Sequence, residues 1–312
     1  MTPVLVALLS LPCVYWTGGA DSRAALEAAG VKRLCVPPGQ VELWRAAGFS
    51  ATPLSAADLA SRESLLVPGT AARVGQASPT RSPWINANGW RFTRNPAAKY
   101  SYDVPAGKAA LAAAEAFAYG ADAVLKVVPS DLESLGRMLT FLEGLPGVDL
   151  PPVSDLAVVD DGSPVTGEVM NLLARRNLLF EVVRAPSSKA RINIAVGSPG
   201  YPVEEAADPS GFALKIRRQL GDEQRSLRVY GSEVVICRLT GNADRARLHV
   251  LNYGGREIEG LRLRVRGAYR EGEAHVPEAG RVPLQDYVAA AGAAEFSLPR
   301  LATYAVIDLK AR

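Results

Sequence analysis

The chain has 312 residues with 35 Lys and Arg against 32 Asp and Glu, a formal net charge of +3. At about 150 residues per domain, that length suggests about two domains, with one large or three small ones still allowed. Hydrophobic residues make up 48% and charged residues 21%, which excludes disorder and fibrous repeats, and the scatter of basic residues among acids excludes a dedicated nucleic-acid binder.

In chain order, residues 4–16 are nearly all apolar but too short for the ~20 residues that cross a bilayer, so no integral membrane segment is expected. The stretch has the length of a secretory signal, yet no Lys or Arg precedes it and no A-x-A site follows. Two buried strands, 4–9 and 13–16, are the alternative. Residues 13–17 read as a strand ending at Gly18-Gly19, and Asp21 as the cap of a helix over 22–29 closed by Gly30. A strand at 33–36, a turn at Pro37-Pro38-Gly39, a helix at 41–47 and a strand near 50–54 follow. This alternation through residue 145 predicts βα units around a parallel sheet or barrel. Residues 68–106 break it with Pro79, Pro83, Pro96, Pro105 and five aromatics, and read as a loop-rich insert with strand fragments. An alanine-rich helix at 107–119, ended by Gly120, and a strand at 123–128 resume the pattern. The spacing Ser130-x-x-Glu133 predicts a capping box for a helix with Leu132, Leu135, Met138, Leu139 and Leu142 on one face.

Prolines mark a boundary at 146–152. A strand at 156–159, a helix at 164–177, a strand at 179–183 and a helix capped by Asp208 then form a small α/β unit. From residue 227 the period is two: Leu261, Leu263 and Val265 alternate with Arg262, Arg264 and Arg266, a stripe read as the solvated face. The fold class is thus α/β plus all-β, in three parts. Residues 1–150 form a (β/α) barrel-like domain, 151–226 a small α/β unit, and 227–312 an antiparallel β-sandwich.

Several chemistries are excluded by residue type. Cys13, Cys35 and Cys237 form no CxxC and the two histidines are His249 and His275, so no structural zinc, no catalytic transition metal and no other cofactor is expected, while one disulfide stays open. No nucleotide-binding glycine motif or H-E-x-x-H is present.

The stretches Val14-Tyr15-Trp16-Thr17-Gly18-Gly19, Trp84-Ile85-Asn86-Ala87-Asn88-Gly89-Trp90-Arg91-Phe92, residues 156–183 and His249-Val250-Leu251-Asn252-Tyr253-Gly254 carry a resemblance. In their order, the chain resembles glycoside hydrolases of the bacterial β-galactosidase type, whose middle domain is similar to a glutamine amidotransferase. The likeness is architectural and covers most of the chain. It implies a carbohydrate-directed protein, a saccharide or glycoconjugate as partner, and secretion or a periplasmic location over the cytoplasm; it leaves a homo-oligomer open.

A complete (β/α)₈ barrel takes ~200 or more residues, so this one would be trimmed, unless strands 156–159 and 179–183 are its last two. Hydrolysis of a glycosidic bond usually takes two carboxylates at strand ends, and Glu27, Glu42, Glu63, Glu115, Glu133 and Glu143 all fall in helix-like stretches. Asp21 and Asp103 remain as catalytic candidates on the rim, each with a capping role as the alternative. Asp160 and Asp161 would join them only if the barrel includes 156–159. For substrate binding, Trp16, Trp84, Asn86, Asn88, Trp90, Arg91, Arg94, Asn95, Tyr100 and Tyr102 combine flat apolar faces with hydrogen-bonding groups, as a sugar requires. Trp84, Trp90 and Tyr102 are expected to be partly exposed around one concavity. Amidotransferase chemistry is excluded, because residues 151–226 contain neither Cys nor His. An enzyme working through rim aspartates and a non-catalytic saccharide-binding or assembly scaffold are the two readings that stand.

Overall fold

The computed structural model describes residues 11–71 and 84–311. Its contacts divide the chain into two compact units, Met1–Gly69 with Asn95–Asp149, and Thr70–Arg94 with Leu150–Arg312.

The first unit opens with β1 (Cys13–Tyr15), α1 (Arg23–Ala28), β2 (Arg33–Val36), α2 (Val41–Ala46), β3 (Ser50–Pro53), α3 (Ala56–Ala60) and β4 (Glu63–Leu65). The chain then runs through β5 (Gly69–Ala71), β6 (Trp84–Asn86) and α4 (Gly89–Arg94). It returns with β7 (Lys99–Val104), α5 (Ala109–Tyr119), β8 (Asp122–Val127) and α6 (Leu132–Glu143). Six parallel strands hydrogen-bond in the order β3-β2-β1-β8-β7-β4. Read as a ring, this is the chain order interrupted between β3 and β4, which stand at the two edges.

Two expectations need correction here. Lys99–Val104 is an inner strand of this sheet, because Pro96 and Pro105 bracket the run Lys-Tyr-Ser-Tyr-Asp-Val without entering its hydrogen-bond ladder. Glu63 begins β4 instead of lying in a helix.

One face of the sheet is apolar. Val14, Leu34, Tyr100, Tyr102 and Leu125 are all at most 1% exposed, with α5 packed on β7 and β8. The alanines of α5 allow that approach, and the Tyr102 hydroxyl donates to the buried Glu115 carboxylate of α5 at 2.6 Å. The predicted capping box does not form. A 3-10 turn, Pro129–Asp131, precedes α6, and Asp131 turns to the neighbouring helix, accepting from the amides of Gly107, Lys108 and Ala109. Asp21 likewise lies in a 3-10 turn before α1 and makes no side-chain cap.

In the second unit, β9 (Leu156–Val159), α7 (Pro164–Arg175), β10 (Phe180–Val183), β11 (Ile192–Ile194), α8 (Val203–Ala206) and α9 (Pro209–Leu220) build a three-stranded parallel sheet, order β10-β9-β11, with its own core. β9 and β10 are therefore not strands of the larger sheet, where β1 has β2 and β8 as neighbours. The Asp208 side chain accepts from the Gly211 amide and starts α9, as its position suggests.

The rest is antiparallel: β12 (Leu227–Val229), β13 (Val235–Gly241), β14 (Arg245–Asn252), β15 (Ile258–Arg266), β16 (Glu271–Val276), β17 (Gly280–Pro283), β18 (Gln285–Ala290), β19 (Ala293–Leu301) and β20 (Tyr304–Lys310). They form two sheets, β12-β15-β19-β18 and β13-β14-β20-β16-β17. Both contribute to one core, with Leu261, Leu263, Val265, Phe296 and Leu298 from one and Leu248, Val250, Ile307 and Leu309 from the other. The arginine stripe is less open than its alternation suggests. Arg262 pairs with Glu295 at 2.7 Å and Arg264 with Glu223 at 3.2 Å, and Arg264 is buried.

Candidate functional site

The second face of the six-stranded sheet is polar near its carboxyl ends. Residues in register across parallel strands point to the same side, and the registers Cys35↔Thr52, Tyr15↔Cys35, Tyr15↔Lys126 and Asp103↔Lys126 define one row, Thr52–Cys35–Tyr15–Lys126–Asp103. Lys126 and Asp103 are each one residue from the end of their strand and Tyr15 ends β1. The Lys126 Nζ stands 2.7 Å from Asp103 Oδ1, with the side chains 37% and 70% exposed. Tyr15 is half-buried. One row deeper, Cys13 is disulfide-bonded to Cys35, with a Cα–Cα distance of 5.7 Å. Leu54 and Leu59 pack against Cys35, Val124, Cys13 and Tyr15, covering part of this face. The amino end is closed by Arg62, which donates to the Asp122 carboxylate at 2.8 Å.

Carboxyl ends of parallel strands are where α/β scaffolds hold ligands, because side chains converge there from separate strands. Asp103 stands on this row, in a strand instead of a loop. Lys126 and Tyr15 were not among the sequence candidates. Their signal is the i, i+2 spacing from Val124 and Cys13, which puts them on one face once the strands are aligned.

The other candidates are dispersed. Trp16 is 8% exposed and its indole Nε1 donates to Ser22 Oγ at 2.8 Å. It folds back over Gly18, where a Cβ would come within 2.6 Å of that nitrogen. Tyr100 and Tyr102 belong to the buried apolar face, which corrects the expected exposure of Tyr102: alternation along β7 sends them opposite to Asp103. The Tyr100 hydroxyl donates to the carbonyl of the exposed Asn95. Asp21 is exposed after β1.

Trp84, Asn86, Asn88, Trp90, Arg91 and Arg94 lie in the second unit. Asn88 is buried and its carbonyl starts α4, accepting from the amides of Arg91 and Phe92. Arg94 makes a two-pronged bond to Asp160, Nε to Oδ2 at 3.0 Å and Nη2 to Oδ1 at 2.7 Å, and also donates to the Ser163 carbonyl. These bonds hold the Asp160 carboxyl below the usual range, outweighing the opposing effect of burial. Trp90 packs into the core of the three-stranded sheet beneath the Arg91 guanidinium, and Arg175 covers the Trp84 ring at 4.3 Å. Trp90 and Arg94 both lie over Gly167 of α7, where a Cβ would meet them at 3.1 and 2.7 Å. This group docks α4 on α7, and Trp84 and Trp90 stay half-buried, each with an arginine over its ring.

No group of three or more His, Cys, Asp or Glu side chains converges to hold a metal among the described residues, and none of their helices is long and apolar enough to cross a membrane.

No family model and no curated protein matches the chain. Among solved structures it is similar to an α-L-fucosidase isoenzyme 2 from Paenibacillus thiaminolyticus, with a TM-score of 0.56, 10% identity, and coverage of 86% of this chain and 70% of that one. It is also similar to a rhamnosidase from Novosphingobium sp. PP1Y (TM-score 0.44, 11% identity, 69% and 31% covered). A β-galactosidase from Bacillus circulans sp. alkalophilus gives 0.42 and 10%, with 95% and 60% covered. The chain thus spans less than two thirds of the length of these last two, and the fucosidase likeness is one of fold.

Proposed function

We propose that the chain is a glycoside hydrolase-like, carbohydrate-directed protein that binds a saccharide or glycoconjugate at the polar face of the first sheet and does not cleave it. The reading is carried by the row Tyr15–Lys126–Asp103, which offers an aromatic ring, an amine and a carboxylate at the carboxyl ends, partly open to solvent. A sugar asks for such a mixture, since its CH face is apolar and its hydroxyls both donate and accept. The fold shared with the fucosidase supports this reading, as does a strand order that becomes consecutive when the edges are joined, which we take as a trimmed barrel.

Too few carboxylates reach this face for cleavage. Hydrolysis usually takes two, about 5 Å apart for retention and roughly 6.5–9.5 Å for inversion. Asp103 is the one carboxylate in the row. Asp131, the next acid along after β8, is buried and engaged with three amides, Glu115 faces the opposite side of the sheet, and Glu63 stands at the amino end. Residues 1–10 and 72–83 contain no Asp or Glu. The second reading, hydrolysis through Asp21 and Asp103, is favoured by the fact that Asp21 follows β1 and Asp103 nearly ends β7.

Binding to a panel of methyl glycosides by saturation-transfer NMR, run beside release of nitrophenol from the matching nitrophenyl glycosides, separates the readings. Binding without turnover is expected, with binding weakened in Asp103→Asn. Turnover abolished by both Asp21→Asn and Asp103→Asn would establish the enzyme instead.

A further inference from the structure

We infer that the ligand of this row is an uncharged saccharide and that the Asp103–Lys126 pair selects against sugar acids, an inference that rests on the saccharide reading above. The row carries one negative and one positive side chain, and they are 2.7 Å apart, so each already holds its counter-charge. Its other members, Thr52, Tyr15 and Cys35, the last tied up in the disulfide, offer neither a carboxylate nor an ammonium. Among the other charged side chains of this unit, Asp131 is engaged by three backbone amides and Arg62 pairs with Asp122 at the opposite end of the strands.

A carboxylate-bearing ligand entering here would meet a cation that is already neutralised, with Asp103 beside it. Like charges at such range repel, and a sugar carboxylate would have to compete with Asp103 for the one ammonium of the row. A hydroxyl suffers neither penalty. It donates to the Asp103 carboxylate and accepts from the Lys126 ammonium at once, using the pair without breaking it. The same two side chains would be read differently if one were missing, since an unpaired Lys126 is an ordinary anion receptor.

Two matched pairs of ligands test this on the full chain: methyl glucoside against methyl glucuronide, and methyl galactoside against methyl galacturonide. Within each pair only C6 changes, from hydroxymethyl to carboxylate. Titration calorimetry on the wild type should give about a ten-fold or larger preference for the neutral member, the scale of one like-charge contact. In Asp103→Asn that preference should close or reverse, because Lys126 is then unpaired. In Lys126→Met the sugar acids should not bind at all. Asp103 is 70% exposed, so its replacement should leave the fold intact by circular dichroism; should it not, the wild-type ratio and Lys126→Met still decide. Equal affinity for both members in the wild type, or a ratio unmoved in Asp103→Asn, overturns the inference while leaving saccharide binding in place. Failure of every glycoside and every sugar acid to bind overturns the saccharide reading and this inference with it.

Discussion

Asp131, 4% exposed, meets three backbone amides at the start of α5, donors that replace the solvent its side chain has lost. That helix has no side-chain cap of its own, so the carboxylate of a neighbouring element supplies both the acceptor and the negative charge that a helix N-terminus favours. Asp131→Ala should therefore cost about 2–3 kcal/mol, read from urea midpoints, and Asp131→Asn less, because an amide oxygen still accepts. Asp160 supports a prediction about pH. Its folded pKa lies below the ordinary carboxylate value, mainly through Arg94. A depressed carboxylate stabilises the fold fully above its unfolded value of about 4 and loses that contribution as pH falls through the lower folded value. Arg94→Met should thus destabilise the chain more at pH 7 than at pH 3, the difference growing as pH falls further. An equal loss at both pH values would show that the pair acts through packing alone.

Close approach between elements is set by single small residues. A Cβ on Gly136 of α6 would lie 1.6 Å from the carbonyl oxygen of Ala29 at the end of α1, and backbone cannot give way as a flexible side chain does. Gly136→Ala should cost about 3 kcal/mol or more by overpacking, with a visible fall in expression. Trp90 belongs to the same scale. Since it packs into the core beside α7, Trp90→Ala should lower the melting temperature by removing buried apolar surface, roughly 2–4 kcal/mol given its half-buried position; an unchanged melt would return it to the ligand-binding candidates. Where helices and strands lie was largely legible in the sequence, because Gly30, Gly48 and Gly120 punctuate the helices and apolar runs mark the strands. β7 was not. Its alternation serves two faces, aromatic toward α5 and polar toward Asp103, and surrounding prolines and tryptophans made it resemble a loop. The group Trp84–Arg94 is an ambiguous case. Aromatics beside arginines fit a sugar site and fit equally well the docking of one helix on another, and composition does not distinguish them.

At the scale of the molecule, composition and periodicity separated a parallel α/β region from an antiparallel one, because the period of apolar residues changes at residue 227. They did not reveal which strands neighbour which, and that order decides the candidate site. Lys126 reads as an ordinary interruption of an apolar strand until β8 is set between β1 and β7, where it meets Tyr15 and Asp103. The same adjacency turns two cysteines 22 residues apart into a covalent link. Cys13 and Cys35 sit on neighbouring parallel strands with Cα atoms 5.7 Å apart, inside the range a disulfide requires. Closing a loop of this size should stabilise the fold by about 3 kcal/mol, chiefly by restricting the unfolded chain. Cys237 is buried, and burial pushes its thiol well above the ordinary value, so it should neither exchange with the pair nor react with alkylating agents in the folded state. Disulfides of this kind persist in oxidising compartments. Protein matured there should show two cysteines protected from iodoacetamide after denaturation, with peptides containing Cys13 and Cys35 joined in mass spectra. A reductant should lower its melting temperature by a few degrees, the shift expected for about 3 kcal/mol in a chain of this length. A Cys13→Ser/Cys35→Ser variant should melt at that lower temperature with or without reductant. If all three cysteines alkylate after denaturation in protein matured under oxidising conditions, and reductant leaves the melt unmoved, the two strands are held by their hydrogen bonds alone.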